Sequence, residues 1–343
     1  MKLDNILRIE ENGLDLIFGI LSDNNICGQM LLITEPKLEE MYGKKVESQL
    51  KKINSLKIEY LKDNSSTYAM ELAQYAIEND IDIIIGLGGG KILDVCKYAS
   101  YISKKIFISL PTTLANDGIA SPIAVLKCKD GKTKSLGAKM ADVIVIDTTL
   151  MSNCPLQFIK AGIGDTISNY TALLDWSLAH NKKKDKINDF AYLMSQESLN
   201  TLLNTEFTKI DENFIKVLAN SIVLSGVAMQ LAGSSRPVSG SEHLFSHALD
   251  FYTNLNNLHG LQVALGTVSI LKILNKDYSK ILSYLKKFDV DINPRTLGID
   301  ENDFITCMKN ASSMRKKRYT CLNEINLNEI NLKKIYNELV EEL

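Results

Sequence analysis

The segment from Ile81 to Leu126 constrains the fold more than any other. An apolar run, a set of glycines, an amphipathic stretch, a second apolar run and a polar loop follow one another in that order. Ile81, Ile83, Ile84 and Ile85 read as a strand buried on both faces, the mark of a parallel sheet covered by helices. Gly86, Gly88, Gly89 and Gly90 come next, so no side chain keeps a ligand from the backbone there. A helix is predicted to open near Gly90 with Ile92, Leu93, Val95, Cys96 and Ala99 on its inner side. Its first N–H groups and positive dipole end favour an anion over the glycines, and a pyrophosphate meets that requirement. The spacing Gly-x-Gly-Gly-Gly-Lys-x-x-Asp differs from the Gly-x-Gly-x-x-Gly of the common dinucleotide fold. Ile92 follows Lys91 where a Walker loop has Ser or Thr, which argues against an ATPase.

The rest of the first half continues the alternation. Strands are expected at Met30 to Thr34, Ser55 to Leu61, Ile106 to Leu110 and Asp142 to Asp147. A Ser-capped helix with Met70, Leu72, Ala73 and Ala76 on its apolar side lies between the second and third. Asp130-Gly131 is a hairpin turn signal between two short strands, Val125 to Cys128 and Thr133 to Gly137. After about Met151 the pattern becomes helical throughout. Helices are expected at Pro155 to Ile159, Gly164 to His180, Ile187 to Leu203, Ile215 to Leu231, Ser241 to Phe251 and Gly260 to Leu274, with shorter ones to Leu343. The reading is an α/β domain with a parallel, Rossmann-like sheet over residues 1–151, then an all-α domain over residues 152–343. A ligand cleft between the two domains is the usual arrangement.

Composition narrows the partners. A net charge of −2 leaves no global basic field, so nucleic acid and anionic membrane are not expected as partners. The runs Lys182–Lys184 and Arg315–Arg318 are expected to be solvated surface. Acidic residues in MKLDNILRIEENG do not suit a signal peptide, and no run approaches the roughly 20 apolar residues of a membrane span, so a cytoplasmic protein is expected. Cys27, Cys96, Cys128, Cys154, Cys307 and Cys321 form no Cys-x-x-Cys pair, and most are expected to be small buried apolar groups.

Histidine is concentrated. Of His180, His243, His247 and His259, three fall within 17 residues. His243 and His247 share a helix face at i and i+4, and His259 opens the next helix. The Glu beside His243 does not produce a His-Glu-x-x-His order, which excludes the common metalloprotease pattern. His243 and His259 as a metal pair, with His247 free for substrate, is the alternative to an i, i+4 pair. A catalytic site with one open position needs a third ligand, and Asp165 is our choice. From its place in AGIGDTISNY, near an expected helix start, Asp165 serves equally well as an N-cap.

The blocks GLGGGKILDVCKYASY, FISLPTTLANDGIASPIAVL, AGIGDTISNYTALLDW, SSRPVSGSEHLFSHALD and HGLQVALGT resemble, in order, those of the glycerol-1-phosphate dehydrogenases of the metal-dependent polyol dehydrogenase and dehydroquinate synthase superfamily. The resemblance runs from about residue 30 to residue 270; the last 70 residues carry none. His-Gly-Leu-Gln at 259–262 differs from the family's more familiar His-Gly-Glu-Gln. The resemblance implies a dehydroquinate synthase-like fold, NAD or NADP as cofactor and one divalent ion, with zinc expected and nickel or iron as alternatives. It assigns the metal to Asp165, His243 and His259, and substrate contact to Asp117, Asp165 and His247. It assigns cofactor contact to Gly89, Gly90, Lys91, Asp94, Thr112, Thr113 and Ser121, to which the loop itself adds Gly88. It also implies a phosphorylated triose or polyol as substrate and a homo-oligomer.

The expected reaction is metal- and NAD(P)-dependent reduction of dihydroxyacetone phosphate to sn-glycerol 1-phosphate, reversible, with Asp165, His243, His247 and His259 as the catalytic set. Ser234, Ser235 and Arg236 are the expected donors to the phosphate, and Glu35 the expected partner of the adenine ribose. The alternatives are a dehydrogenase of glycerol or another unphosphorylated polyol, a carbon–oxygen lyase of the dehydroquinate synthase kind, and a nucleotide-binding regulatory protein.

Overall fold

The computed structural model describes residues 5–343; residues 1–4, the start of the expected first domain, lie outside the described residues. The chain groups into two compact units. One holds the residues up to Leu114, Gly118–Cys154 and Asp211–Gly226; the other holds Ala115–Asp117, Pro155–Ile210 and Val227–Leu343. Two segments thus depart from a single cut in the chain. The second of them joins the first unit because Phe214, Ile215, Leu218, Ala219 and Ile222 are buried there and Thr148 Oγ1 donates to Glu212 Oε1 at 2.8 Å.

In the first unit the strands are β1 (Ile6–Glu10), β2 (Met30–Thr34), β3 (Leu56–Tyr60), β4 (Ile83–Gly88), β5 (Ile106–Pro111), β6 (Ile123–Lys127), β7 (Thr133–Gly137) and β8 (Val143–Asp147). Six of them form one parallel sheet in the order β1-β8-β5-β4-β2-β3, and β6 and β7 make the expected antiparallel hairpin as a separate pair. Strand β1, which sequence reading did not find, pairs with β8 in the register Ile6↔Val143. Its five residues give too short an alternation to stand out. The helices are α1 (Ile17–Asp23), α2 (Pro36–Leu38), α3 (Lys44–Leu50), α4 (Ser66–Glu78), α5 (Gly90–Ser103) and α6 (Thr148–Ser152). Ser65 caps α4 by accepting from the Tyr68 N–H at 3.0 Å. Met70, expected inside, is exposed; Tyr68, Ala69, Leu72, Ala73 and Ala76 make the buried face of α4.

The strand order locates the ligand end of this sheet. From β2 the chain steps outward to β3, returns across to β4 and then proceeds the other way to β5. The direction of winding therefore reverses between β2 and β4, and open α/β sheets bind ligands outside the strand C-termini at such a reversal. Thr34 Oγ1 donates to the Leu87 carbonyl at 3.0 Å and ties the two strand ends together.

The second unit is helical throughout its described residues. Its elements are α7 (Leu156–Asn181), α8 (Asp189–Leu203), the end of α9 (Glu212–Ala232), α10 (Ser241–Tyr252), α11 (His259–Ile273), α12 (Ser279–Lys287), α13 (Glu301–Asn310) and α14 (Glu329–Glu342). One 26-residue helix, α7, replaces the two expected on either side of a Gly-rich bend. Gly164 sits inside it because a Cβ there would overlap the Gly260 carbonyl of α11. A Cβ at Gly260 would in turn overlap the Ala161 carbonyl. These glycines serve close helix packing rather than a turn.

Two further expectations change. Among the described residues α9 is long and apolar enough to cross a bilayer by length and composition; much of it is buried inside the protein, as in a core helix. Cys96, Cys307 and Cys321 are buried, whereas Cys128 and Cys154 are half-buried and Cys27 is exposed, so half rather than most of the cysteines are core residues.

Candidate active site

In the first unit the glycines divide by role. A Cβ at Gly88 would overlap Ile92, and one at Gly86 would press on Leu93 at 3.1 Å, so these two let α5 pack on β4. Gly89 differs: a Cβ there would meet only Thr113 Oγ1, at 3.8 Å, which leaves room for a ligand. Gly89 is the N-cap of α5 and offers no side-chain cap, so the first N–H groups of the helix are available to an anion. Lys91 is exposed beside them. The Thr112 N–H donates to the Gly88 carbonyl at 3.1 Å, which brings Thr112 and Thr113 to the same strand ends. Glu35 is exposed at the N-terminus of α2, immediately after β2, on the other side of the winding reversal.

Asp94 and Ser121 are placed differently from this group. The Asp94 carboxylate accepts from Lys97 Nζ at 3.1 Å and from the Val125 N–H at 3.0 Å. Lys97 is fully buried; its ammonium also donates to the Gly118 and Ile123 carbonyls at 2.8 and 2.7 Å and to Ser121 Oγ at 3.3 Å. Both residues thus belong to an internal network that fastens α5 to β6. Sequence reading gave Lys97 no role, since its enclosure depends on residues more than 20 positions away.

The second unit assembles the acid and the histidines. Asp165, His243 and His259 offer ligand atoms that all lie within 4.8 Å of one another, from α7, α10 and α11 respectively. His259 Nε2 is 3.7 Å from Asp165 Oδ1. Asp165 lies mid-helix, so the N-cap alternative does not apply. Its other oxygen accepts the Asp117 N–H at 2.9 Å, which places Asp117 against the same carboxylate. The His247 ring lies 6.5 Å, centroid to centroid, from each of the rings of His243 and His259. His180 is elsewhere, at the end of α7, where its Nδ1 accepts the Ile187 N–H at 3.4 Å.

Each histidine ring is oriented from behind. His243 Nδ1 is 2.8 Å from Glu242 Oε1, whose carboxylate also accepts from the Gly240 N–H at 2.6 Å and from Thr171 Oγ1 at 2.6 Å. A carboxylate at that nitrogen fixes the proton on Nδ1 and leaves Nε2 as the ligand atom. His259 Nδ1 is 3.2 Å from Ser246 Oγ, which donates to Gln262 Oε1 at 2.6 Å, and Gln262 Nε2 donates to Asp250 Oδ1 at 3.2 Å. Sequence reading used Glu242 only to exclude a protease and passed over Ser246. The signal available was position: an acid adjacent to one histidine, and a Gln one turn after another.

Burial sets the charge states. It raises the pKa of Asp165, opposed by the Asp117 N–H and reinforced by the Glu242 charge. It lowers those of His243 and His247, with the guanidiniums of Arg315 and Arg318 adding to the effect. His259 is lowered by burial too, against the pull of Asp250 and Asp117. Neutral imidazoles and an enclosed carboxylate form a donor set suited to one divalent cation.

Arg236 does not play its expected part. It is 5% exposed, its Nε donates to Asp185 Oδ2 at 2.6 Å and its NH1 to the Tyr319 carbonyl at 2.7 Å, so the guanidinium is committed within the fold. The run Arg315–Arg318 also departs from a solvated face: Lys316 and Lys317 are exposed, but Arg315 and Arg318 are half-buried and turn onto Ser235.

Comparison with known proteins fixes the lineage. Residues 8–155 match the iron-containing alcohol dehydrogenase family model. The chain is 33% identical over 324 residues to the glycerol-1-phosphate dehydrogenase [NAD(P)+] of Thermococcus sibiricus, covering 94% of this chain and 92% of that one. It is 36% identical over 316 residues to the protein of the same name from Methanosphaera stadtmanae, covering 89% and 90%. Among solved structures, a probable glycerol dehydrogenase from Sinorhizobium meliloti has the same fold, with a TM-score of 0.77 at 18% identity over 98% of this chain and 97% of that one. A sulfoacetaldehyde reductase from Bifidobacterium kashiwanohense in complex with NAD+ aligns with a TM-score of 0.74 at 14% identity over 98% and 97%. Identity of this extent along nearly the whole chain means that this protein belongs to the glycerol-1-phosphate dehydrogenase family.

Proposed function

We propose that this protein is a metal-dependent, NAD(P)-dependent dehydrogenase that reduces dihydroxyacetone phosphate to sn-glycerol 1-phosphate, and runs in reverse. The observation that carries the reading is the convergence of Asp165, His243 and His259 ligand atoms within 4.8 Å in a chain of this family. In this reading Asp165, His243 and His259 hold one divalent ion, for which zinc is our first choice over nickel and iron. When bound, the ion lends Lewis-acid stabilisation to charge developing on the substrate oxygen, and the nicotinamide supplies or takes the hydride.

The protein's own contribution is orientation and proton handling. Glu242 holds the His243 ring and the Ser246–Gln262–Asp250 chain holds that of His259, so the two imidazoles need no reorganisation during turnover. The Asp117 N–H restrains Asp165, and the Asp117 side chain is assigned to the substrate. His247, kept neutral by burial, accepts the proton of the alcohol in oxidation and returns it in reduction. Gly89, Gly90, Lys91, Thr112 and Thr113 are assigned to the cofactor phosphates and nicotinamide half, with Gly88, Asp94 and Ser121 shaping that region from beneath. Glu35 is assigned to the adenine ribose. A cytoplasmic homo-oligomer that uses small phosphorylated trioses completes the reading.

The test follows nicotinamide absorbance with dihydroxyacetone phosphate and with dihydroxyacetone, before and after chelation and with each metal restored. Metal-dependent turnover of the phosphorylated ketone is expected. Preference for dihydroxyacetone would make the protein a polyol dehydrogenase, and turnover unaffected by chelation would remove the metal from the mechanism.

A further inference from the structure

We propose that Arg318, together with Arg315 and Ser235, seats the phosphate group of the substrate. The proposal rests on the dehydrogenase reading for the identity of the substrate, and on the following geometry for the site. Arg318 NH2 donates to Ser235 Oγ at 2.8 Å and Arg315 NH1 donates to the same oxygen at 3.3 Å. Two guanidiniums therefore converge on one hydroxyl. Arg318 NH1 donates to the Ser239 carbonyl at 2.6 Å, in the turn that leads into α10 and four residues before His243.

Both partners of Arg318 are neutral oxygens, and among the described residues no carboxylate lies within ion-pair distance of it. The nearby acids are engaged: Asp185 pairs with Arg236, and the Glu242 oxygens are taken by His243, Gly240 and Thr171. A guanidinium carries five N–H donors in a planar fork, and the two bonds above leave three of them for a ligand. A half-buried guanidinium whose hydrogen bonds go to neutral oxygens is costly to enclose, and a bound anion would offset that cost. The cost registers in Arg318, whose pKa is pushed down to about 9 by burial first and then by the charges of Arg315 and Arg236, against the pull of Glu242 and Asp185.

The Ser239 bond ties Arg318 to the turn that opens α10, the helix that carries both His243 and His247. A phosphate monoester brings close to two negative charges at neutral pH and three acceptor oxygens, the complement of two guanidiniums and a hydroxyl. An unphosphorylated ketone brings neither. The pair thereby separates phosphorylated from unphosphorylated substrates, a part that the internal bonds of Arg236 deny to that residue.

The experiment compares wild-type protein with Arg318→Ala, Arg318→Lys and Ser235→Ala, all metal-loaded and checked by thermal melting. KM is measured for dihydroxyacetone phosphate and for dihydroxyacetone, and calorimetry measures binding of sn-glycerol 1-phosphate and of inorganic phosphate. Arg318→Ala is expected to weaken both phosphate ligands about 10- to 100-fold, and to raise KM for the phosphorylated ketone at least about tenfold more than for the other. Arg318→Lys retains charge but not the fork and is expected to fall between. Should Arg318→Ala not fold, the lysine and Ser235 variants carry the comparison in the same direction. Equal effects on the two ketones, or unchanged binding of the phosphate ligands, would overturn the proposal. If wild-type protein reduces neither ketone yet binds inorganic phosphate in a manner that depends on Arg318, the site stands and the dehydrogenase reading fails. If it reduces the phosphorylated ketone and the Arg318 variants match it, the reverse holds.

Discussion

Gly164 and Gly260 face each other across α7 and α11 so closely that a Cβ on either would overlap backbone of the other helix. Each immediately adjoins a proposed metal ligand, Asp165 in one case and His259 in the other. The near contact of the two helices is what brings His259 Nε2 to 3.7 Å from Asp165 Oδ1.

Replacing Gly260 by Ala forces those helices apart. Overpacking of this kind costs about 1–3 kcal/mol, so the midpoint of chemical denaturation should fall. Metal affinity should fall with it, and a titration that found the affinity of Gly260→Ala unchanged would disconnect the helix contact from the metal site.

Glu242→Gln keeps the shape of the side chain but leaves one oxygen to accept from the Gly240 N–H, Thr171 and His243, and removes the charge that holds the proton on His243 Nδ1. Loss of such an outer partner typically costs 10- to 100-fold in metal affinity, and we expect a loss of about that size. Competition against a chromogenic chelator measures it directly; a variant that binds metal as well as wild type would rule out the orienting role.

Asp175 supplies a pH dependence of stability. Burial, then the Glu242 charge, raises its pKa to about 6 against bonds from the Ser241 and Cys321 N–H groups. Because the folded value exceeds the unfolded one of about 4, the folded protein holds the proton more tightly. Its contribution is therefore fully present below pH of about 4 and is lost as pH rises through about 6. Asp175→Asn should flatten this part of the stability profile while lowering stability overall by about 1–3 kcal/mol, since an amide NH2 would oppose one of two donating N–H groups. Urea midpoints across that range, taken for both proteins, decide it; parallel profiles would mean another group titrates.

Glu35 stands where an acid beside the ribose 2′-hydroxyl would repel the 2′-phosphate of NADP. Glu35→Ser should shift the kcat/KM ratio toward NADP by about tenfold, the value of one such charge contact. An unmoved ratio would take Glu35 out of cofactor choice.

Much of this was legible in the residues. The isoleucines of β4 and the apolar side of α5 repeat at strand and helix periods, and the histidine cluster stands out in a histidine-poor chain. What escaped was set by partners distant in sequence. Gly162 and Gly164 read locally as a bend, and only the backbone of α11 explains a glycine inside a helix. Arg315 and Arg318 read as part of a charged surface run, and the half that turns inward is told apart only by Ser235, some 80 residues earlier. Arg236 shows the converse: it lies near the histidines in sequence, yet Asp185 and the Tyr319 carbonyl claim it.

The enclosure of Lys97 has a use beyond packing. Its ammonium has no contact with solvent and is saturated by Asp94, Ser121 and two backbone carbonyls, so no acylating reagent or enzyme reaches it while the chain is folded. The exposed Lys91, six residues earlier in α5, is open to the same chemistry throughout. The ratio of label at these two positions in one tryptic digest is accordingly a clock for folding: modification at Lys97 dates from before the chain closed around it.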